Sequence, residues 1–446
     1  MSQMLLSSPL EKYIQKALSS NLALQQQNFS YQKSQYALKE ARGLFMPSLT
    51  IHARYSRAGG GRQIEFPIGD LVNPIHQSLN QLLGQPAFPG NLPNEQIPFL
   101  RKEEHETKIR LVQPILQPKI WHNYKIKSLM EESEYNKKRM FIRQLIADVK
   151  IAWYQYLQSA EVVRLYEETQ LVLKENLRVS QKLVQNNMAT KDEIYTAQAE
   201  LSDLKQKLQE AEKNKKLSAQ YINFLCNQPL DNEIETRNVN EFITNPLEIT
   251  DANAAALQNR EELKLLDLAV NISDKGISIA KSDYFPTLNA VVDYGFQGEE
   301  YKFTSDEDYW MASAIFEWNV FNGWQDEAKT QQAQVQKKIY EVKKQELEKQ
   351  LLLQVSEAFE QKKVAESKCI AAQEMEKSAR EAFRIINKKY KQNSASQIEY
   401  IAARNRLTSA EISNIICRYT YAIRQAELEK VTATFPIKDI KIIEEN

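Results

Sequence analysis

The chain has 446 residues, with 58 basic and 58 acidic side chains and no formal net charge. This balance argues against wholesale binding of nucleic acid, and 26% charged with 9% aromatic residues is typical of a folded rather than a disordered protein. The sequence contains no run of about 18 apolar residues, so it predicts no transmembrane helix. We interpret the three widely spaced cysteines as small core residues: Cys226, Cys369 and Cys417.

The first predicted element of each half of the chain is a helix. Apolar residues recur at helical spacing within residues 1–47 and again within residues 251–286. Pro47 and Pro286 end these segments, because proline disfavours continuation of a helix.

Strand patterns follow, within residues 48–116 and 287–321. In the first, Leu49, Ile51 and Tyr55 alternate with polar residues, and the second carries two runs with the same alternation. A long, irregular loop is predicted at residues 58–106, because 12 of the 25 glycines and prolines of the chain lie between Gly59 and Pro98.

Two interpretations of these four strands remain open from the pattern. One is a small sheet packed on helices. The other is a set of membrane strands, because about 9–11 tilted residues span a bilayer. Four strands cannot close a barrel alone, and lipid does not tolerate open sheet edges, so membrane strands would require several copies of the chain.

Residues 117–228 and 322–433 are predicted to form long helical hairpins. They nearly coincide with two stretches of 110 and 112 residues without glycine or proline, Lys119–Gln228 and Trp324–Phe435. Each hairpin is expected to turn at a short polar segment, and Glu193 and Glu399 then stand at capping-box spacing. The two turns are Asn187, Met188, Ala189 and Thr190, and Asn393, Ser394, Ala395 and Ser396.

The two halves of the chain align with each other, which predicts a two-fold internal repeat. Residues 17–55 match residues 256–294 with a shift of 239, and residues 149–201 match residues 355–407 with a shift of 206. The shift changes because the first half contains the longer insertion between its strands.

The order of strand pair, long hairpin, strand pair and long hairpin resembles the TolC-like outer-membrane efflux proteins. The most specific part is the second turn. The family pattern is roughly Tyr-x-x-Gly-x-x-Ser-x-Leu-Asp-Leu-Leu-x-Ala-x-x-x-Leu, and residues 390–407 read Tyr-Lys-Gln-Asn-Ser-Ala-Ser-Gln-Ile-Glu-Tyr-Ile-Ala-Ala-Arg-Asn-Arg-Leu. The strand-to-helix exits at residues 113–116 and 319–323 are also similar to the family.

The resemblance implies a mostly α fold with a β part. Its long antiparallel hairpins would form an α-barrel, and its four strands would contribute to a trimeric transmembrane β-barrel. Residues 229–250 and 434–446 would form an equatorial belt. The protein would lie in the outer membrane of a Gram-negative bacterium, in contact with lipid, and extend into the periplasm.

The implied function is a passive exit duct of a tripartite efflux or type I secretion system. A periplasmic adaptor and an inner-membrane pump would deliver the substrate, and the two hairpin turns would meet the adaptor. By position, Glu193, Tyr390 and Glu399 would form the aperture, with Tyr390 hydrogen-bonded to Glu193. Family members often carry a basic residue in place of Ala395 and an acidic one in place of Ala402, so this chain departs from the pattern there.

Other function classes have weaker support. No histidine pair at metal-ligand spacing and no phosphate-binding glycine loop is present, so we expect neither an enzyme nor a cofactor or metal site. The serious alternative is a soluble coiled-coil scaffold, periplasmic or cytoplasmic, with a small β-domain. It explains the long helices, but not why both halves contain similar pairs of strands.

Overall fold

A computed structural model describes residues 8–236, 248–392 and 394–435. Nine α-helices are found among these residues. They are α1 (Pro9–Ser20), α2 (Leu22–Gly43), α3 (Ile68–Leu83), α4 (Pro118–Gln185), α5 (Lys191–Leu225), α6 (Ile249–Asn259), α7 (Glu261–Lys281), α8 (Gln325–Lys391) and α9 (Gln397–Thr432). The described helices include none that is both long and apolar enough to cross a membrane.

The described residues also form six β-strands in two antiparallel sheets. The strands are β1 (Ser48–Arg57), β2 (Gln63–Phe66), β3 (Glu95–Pro98), β4 (Glu103–Leu116), β5 (Thr287–Gly298) and β6 (Asp308–Glu317). The larger sheet has the order β1-β4-β5-β6, and β2 pairs with β3 in a separate ribbon. The mostly helical fold with a minor antiparallel sheet confirms the coarse fold class that the sequence predicted.

The chain divides into two compact units. The helical unit contains residues 1–37, 126–274 and 333–446, and the strand unit contains residues 38–125 and 275–332. Several long helices contribute residues to both units.

The register of the larger sheet separates an apolar face from a polar face. Ala290 lies opposite Ala314, and Tyr294 lies opposite Trp310, so the apolar residues of these two strands fall on the same side. On the other face, the Arg110 guanidinium donates two hydrogen bonds to Asp293, of 2.8 and 2.7 Å. The alternation read from the sequence is confirmed.

The predicted irregular loop contains more regular structure than expected. It includes the helix α3 and the ribbon of β2 and β3, and β4 already begins at Glu103, before the predicted end of the loop. The expectation of an irregular loop was therefore wrong for much of this segment. Pro74 lies inside α3, which is why the breaker-rich sequence did not suggest a helix there.

The main core of the helical unit joins α1, α4 and α5. Trp153 is fully buried there, with its ring centroid 5.3 Å from that of Tyr13. Arg143 forms a buried ion pair with Glu261, with hydrogen bonds of 3.0 and 2.9 Å, and donates a third hydrogen bond to the carbonyl of Phe435. Cys226 and Cys417 are buried, as expected, whereas Cys369 is half-buried.

The helices that open each half of the chain are each broken once, which the sequence did not predict. The breaks lie at Asn21 and Arg260, whose backbones are extended. The side chain of Asn21 explains the first break. It accepts a hydrogen bond from the amide of Leu24 and donates one to the carbonyl of Leu225, both 2.9 Å long. This contact with a distant helix fixes a residue that could otherwise continue the helix.

Candidate functional site

The first hairpin turn joins α4 to α5 through Asn187. This residue has a φ of 55°, a left-handed conformation that asparagine tolerates better than most residues. The amide of Met188 donates to the carbonyl of Leu183 at 2.8 Å, and the amide of Asn187 donates to Val184 at 3.0 Å. These two hydrogen bonds are those of a Schellman motif, so the helix ends where the sequence predicted.

The second hairpin turn joins α8 to α9 and is closed by a capping box. The Ser396 hydroxyl oxygen accepts from the amide of Glu399 at 3.3 Å, and the Glu399 carboxylate accepts from the amide of Ser396 at 2.7 Å. These hydrogen bonds lower the pKa of Glu399 because they favour its charged form. Asn393, the residue predicted to end the first arm, lies outside the described residues.

The two turns differ where the sequence predicted equivalence. Thr190 precedes α5 as its N-cap residue, but its side chain makes no capping hydrogen bond. Glu193 is therefore not part of a capping box, and that prediction holds only for Glu399. The carboxylate of Glu193 is free for another role.

Glu193 and Tyr390 share a partly buried environment. Burial raises the pKa of Glu193, and the neighbouring charge of Asp192 raises it further. The pKa of Tyr390 is also raised, mainly by burial and then by the charge of Glu193. The Tyr390 ring stacks on Tyr400, with centroids 4.7 Å apart.

The predicted hydrogen bond between Tyr390 and Glu193 is not formed. The Tyr390 hydroxyl is buried and has no hydrogen-bond partner within the described part of the chain. Stacking on Tyr400 instead holds the ring. Tyr390 thus lies near enough to Glu193 for the charge of Glu193 to raise the pKa of Tyr390, although no hydrogen bond joins the two side chains.

Gln397 links the two hairpins and was not identified from the sequence. Its side-chain amide donates to Ser180 Oγ and to the carbonyl of Glu193, both at 3.1 Å. Gln397 is the first residue of α9 and is buried. A polar residue at the start of a helix is ordinary, so only its position beside the predicted cap could have drawn attention to it.

A cavity of about 990 Å³ lies between the two hairpins near their turns. Of the predicted site residues, six contribute to its lining: Met188, Ala189, Glu193, Tyr390, Ala395 and Ser396. Asn187, Thr190, Ser394 and Glu399 belong to the same two turns without lining the cavity. The chain therefore brings both turns and the three predicted aperture residues to one region of the helical unit.

Comparison with known proteins gives the same assignment as the sequence. Residues 254–434 match the family described as outer membrane efflux protein. Comparison with curated proteins gives no match.

Solved structures of outer-membrane channels share the fold over nearly the whole chain. The CmeC outer membrane channel of Campylobacter jejuni is 16% identical, with a TM-score of 0.77 over 95% of this chain and 85% of that one. The MtrE outer membrane channel of Neisseria gonorrhoeae, in its open state, is 16% identical, with a TM-score of 0.76 over 95% and 88%. The outer membrane protein VceC of Vibrio cholerae is 11% identical, with a TM-score of 0.75 over 95% of both chains.

These comparisons confirm the resemblance to the TolC-like outer-membrane efflux proteins. Nearly the whole chain thus shares the fold of outer-membrane channels, and its second half matches the outer membrane efflux protein family. The scaffold alternative is disfavoured, because the family and the similar folds are those of membrane channels.

Proposed function

We propose that three copies of this chain form one passive exit duct. Each copy would contribute four strands to a shared barrel in the outer membrane and two helical hairpins to a tunnel in the periplasm. The observation that carries the proposal is the four-stranded sheet, in which β1 and β6 each have one unpaired edge. Open edges are not tolerated in lipid, and pairing of β6 with β1 of the next copy would remove them.

Exposed apolar side chains on the outer strands support a membrane location for the sheet. Ile51 of β1 is 74% exposed and Trp310 of β6 is 75% exposed. Isolated apolar residues on a surface are ordinary, but these belong to one continuous apolar face. That face would contact lipid, and the polar face with Arg54 and Arg110 would line the lumen.

The proposed duct is built from two similar halves. The unexpected helix breaks at Asn21 and Arg260 are separated by 239 residues, the same shift that aligns the two halves of the sequence. In each half an opening helix pair precedes two strands of the larger sheet and a long hairpin. These correspondences support an internal repeat, which would give the tunnel twice as many similar hairpins as chains.

The proposed belt lies only partly within the described residues. Its first segment, residues 229–236, is held by Asn223, whose side chain donates to the carbonyls of Leu230 and Asn232 at 3.1 and 2.8 Å. From the second segment, Phe435 accepts the hydrogen bond from Arg143. These contacts support a belt close to the main helical core.

The proposed partners are a periplasmic adaptor at the hairpin turns and, through it, an inner-membrane pump. Met188 is 68% exposed in the first turn, and Ile398 is 76% exposed just after the second. Large apolar side chains are therefore exposed to water at both turns, beside the cavity between the hairpins. Their burial against an adaptor would stabilise the complex. The duct itself is proposed to have no catalytic activity.

We propose that Glu193, Tyr390 and Glu399 line the aperture near these turns. Glu193 is the stronger candidate for the gate, because its carboxylate takes part in no capping box and lines the cavity. Glu399 would add charge from a position fixed by Ser396. Rings of carboxylates in a trimer would favour cations and repel anions.

Single-channel recording in a planar lipid bilayer tests the duct and its gate together. The unmodified protein should conduct with a preference for cations, and Glu193→Gln should reduce that preference because it removes three partly buried charges and nearly preserves side-chain size. Glu399→Gln tests the second ring. If Glu193→Gln leaves ion selectivity and divalent block unchanged, the gate assignment is wrong. If the unmodified protein forms no conducting channel, the duct itself is wrong.

A further inference from the structure

Helix α3 presents one continuous apolar face to its surroundings. At 3.6 residues per turn, the apolar residues cover an arc of about 120° around the helix. Ile75 is 59% exposed and Leu82 is 83% exposed. We call this surface the α3 apolar face, and its exposed residues are Leu71, Ile75, Leu79, Leu82 and Leu83.

The side of α3 away from this face is held by the loop that follows the helix in the chain. Asn73 exchanges two hydrogen bonds with the backbone of Leu92, of 3.0 and 2.8 Å. Asn80 does the same with the backbone of Phe88, at 2.8 Å each. A Cβ at Gly69 would collide with the carbonyl of Leu92, so glycine allows this close approach.

This anchoring fixes the orientation of the helix without covering its apolar face. The asparagines lie on the helix about 120–140° from the centre of the apolar face, on the side away from it. The exposed leucines therefore belong to a helix whose orientation is set. Among the described residues, no segment of the same chain buries them.

The chain connects α3 directly to the edge strand at which another copy would bind in the proposed trimer. The segment that carries α3 leaves β1 after Arg57 and returns to β4 at Glu103. β1 is an edge strand of the larger sheet. If β6 of a neighbouring copy pairs with β1, this segment extends from the seam between the two copies.

Charge distinguishes a protein partner from a lipid surface. The α3 apolar face carries no charge, and Arg62 is the single arginine or lysine between Gly59 and Pro98. Helices that lie on anionic membrane surfaces are usually rich in lysine and arginine on their polar side. The composition thus favours an apolar protein surface as the partner.

We propose that the α3 apolar face packs against the neighbouring copy of this chain in the assembled channel. The inference rests on the proposed trimer and adds a second contact between copies, outside the shared barrel. Burial of several leucine and isoleucine side chains would stabilise the assembly and fix the position of the segment on the neighbouring copy.

Site-specific photo-cross-linking tests this contact in the full-length channel in its membrane. A photoreactive phenylalanine analogue is introduced at Leu82 and, as a matched control, at Gln81, the preceding residue on the polar side of α3. The expected result is a covalent dimer for the Leu82 variant alone, with both cross-linked peptides derived from this chain. Cross-links at Leu82 only to lipid, only to another protein, only within one chain, or not at all would overturn the proposal.

A second pair of variants separates this proposal from the trimer on which it rests. Ile75→Glu with Leu82→Glu should lower the temperature at which the isolated trimer dissociates in detergent, whereas Gln77→Glu with Gln81→Glu should not. If the unmodified protein forms trimers but both pairs dissociate at the same temperature as that protein, the α3 contact is wrong and the duct stands. If the unmodified protein is monomeric, the proposed function fails first.

Discussion

Ser396 and Thr190 occupy the same position in the two hairpins, but only Ser396 caps its helix. The Ser396 hydroxyl accepts from the amide of Glu399, while the Thr190 side chain makes no capping hydrogen bond. Similar sequences at the two turns thus produce different local contacts. This difference leads to a comparison between two single substitutions.

Ser396→Ala should destabilise the first turn of α9 by about 1 kcal/mol, the usual effect of losing a capping side chain. Thr190→Ala should have a much smaller effect on the first turn of α5. Hydrogen exchange of the amides in both turns, measured on the intact channel, compares the two. Equal loss of protection in both variants would contradict the contacts described for the turns.

The opposite pKa shifts of Glu193 and Glu399 predict opposite pH effects. The pKa of Glu193 is raised from an ordinary 4.5, so the stability that it contributes is fully present below pH 4.5 and is lost as the pH rises through the raised pKa. The pKa of Glu399 is lowered, so its contribution is present above pH 4.5 and is lost as the pH falls through the lowered pKa.

At neutral pH, Glu193→Gln should therefore stabilise the hairpin turns and Glu399→Gln should destabilise them, and both differences should shrink in acid. Thermal unfolding of the two variants and of the unmodified protein, followed at pH 4 and pH 7, measures the effect. The explanation fails if both substitutions change stability in the same direction at pH 7.

At the scale of the elements, the two faces of the strands should differ in the substitutions that they tolerate. Ala314 belongs to the apolar face and Ser313 to the polar face of the same strand. Arginine on a lipid face near the middle of a bilayer costs about 2–4 kcal/mol. Ala314→Arg should thus impair assembly in the outer membrane far more than Ser313→Arg. The amount of folded protein in purified outer membranes gives the comparison, and equal amounts would argue against membrane strands.

The elements that the sequence predicted well are those set by local chemistry. The turns follow from a polar segment between two long stretches without glycine or proline, and the strands follow from alternation that the register confirms. Elements that depend on distant contacts were missed. Asn21 breaks its helix through a hydrogen bond to Leu225, 204 residues away, and α3 is held by a loop that the sequence alone does not place beside it.

The candidate site shows the same division. Its location at the two turns follows from spacing, since Glu193 and Glu399 each stand three residues after a potential cap. Its side-chain contacts do not follow from spacing. Tyr390 stacks on Tyr400 instead of forming a hydrogen bond with Glu193, and Gln397 donates a hydrogen bond from the second hairpin to the first. These side-chain contacts are determined by packing between helices that are far apart in the chain.

At the scale of the whole molecule, the unpaired edges of the sheet are the reason why the proposed barrel needs several copies of the chain. Four strands per chain are too few for a closed barrel. In lipid, a sheet must close into a barrel because open edges leave backbone hydrogen-bonding groups unsatisfied. Three copies would give twelve strands, and single-chain outer-membrane barrels likewise have an even number of strands. The proposed aperture, adaptor surface and α3 contact all depend on this assembly.

The most direct test is the mass of the intact complex extracted from outer membranes in mild detergent. Native mass spectrometry should find three copies of the chain in one particle, and the same particle should persist on dilution because barrel closure joins the copies by backbone hydrogen bonds. A stable, folded monomer under these conditions would contradict the shared barrel and with it the proposed duct.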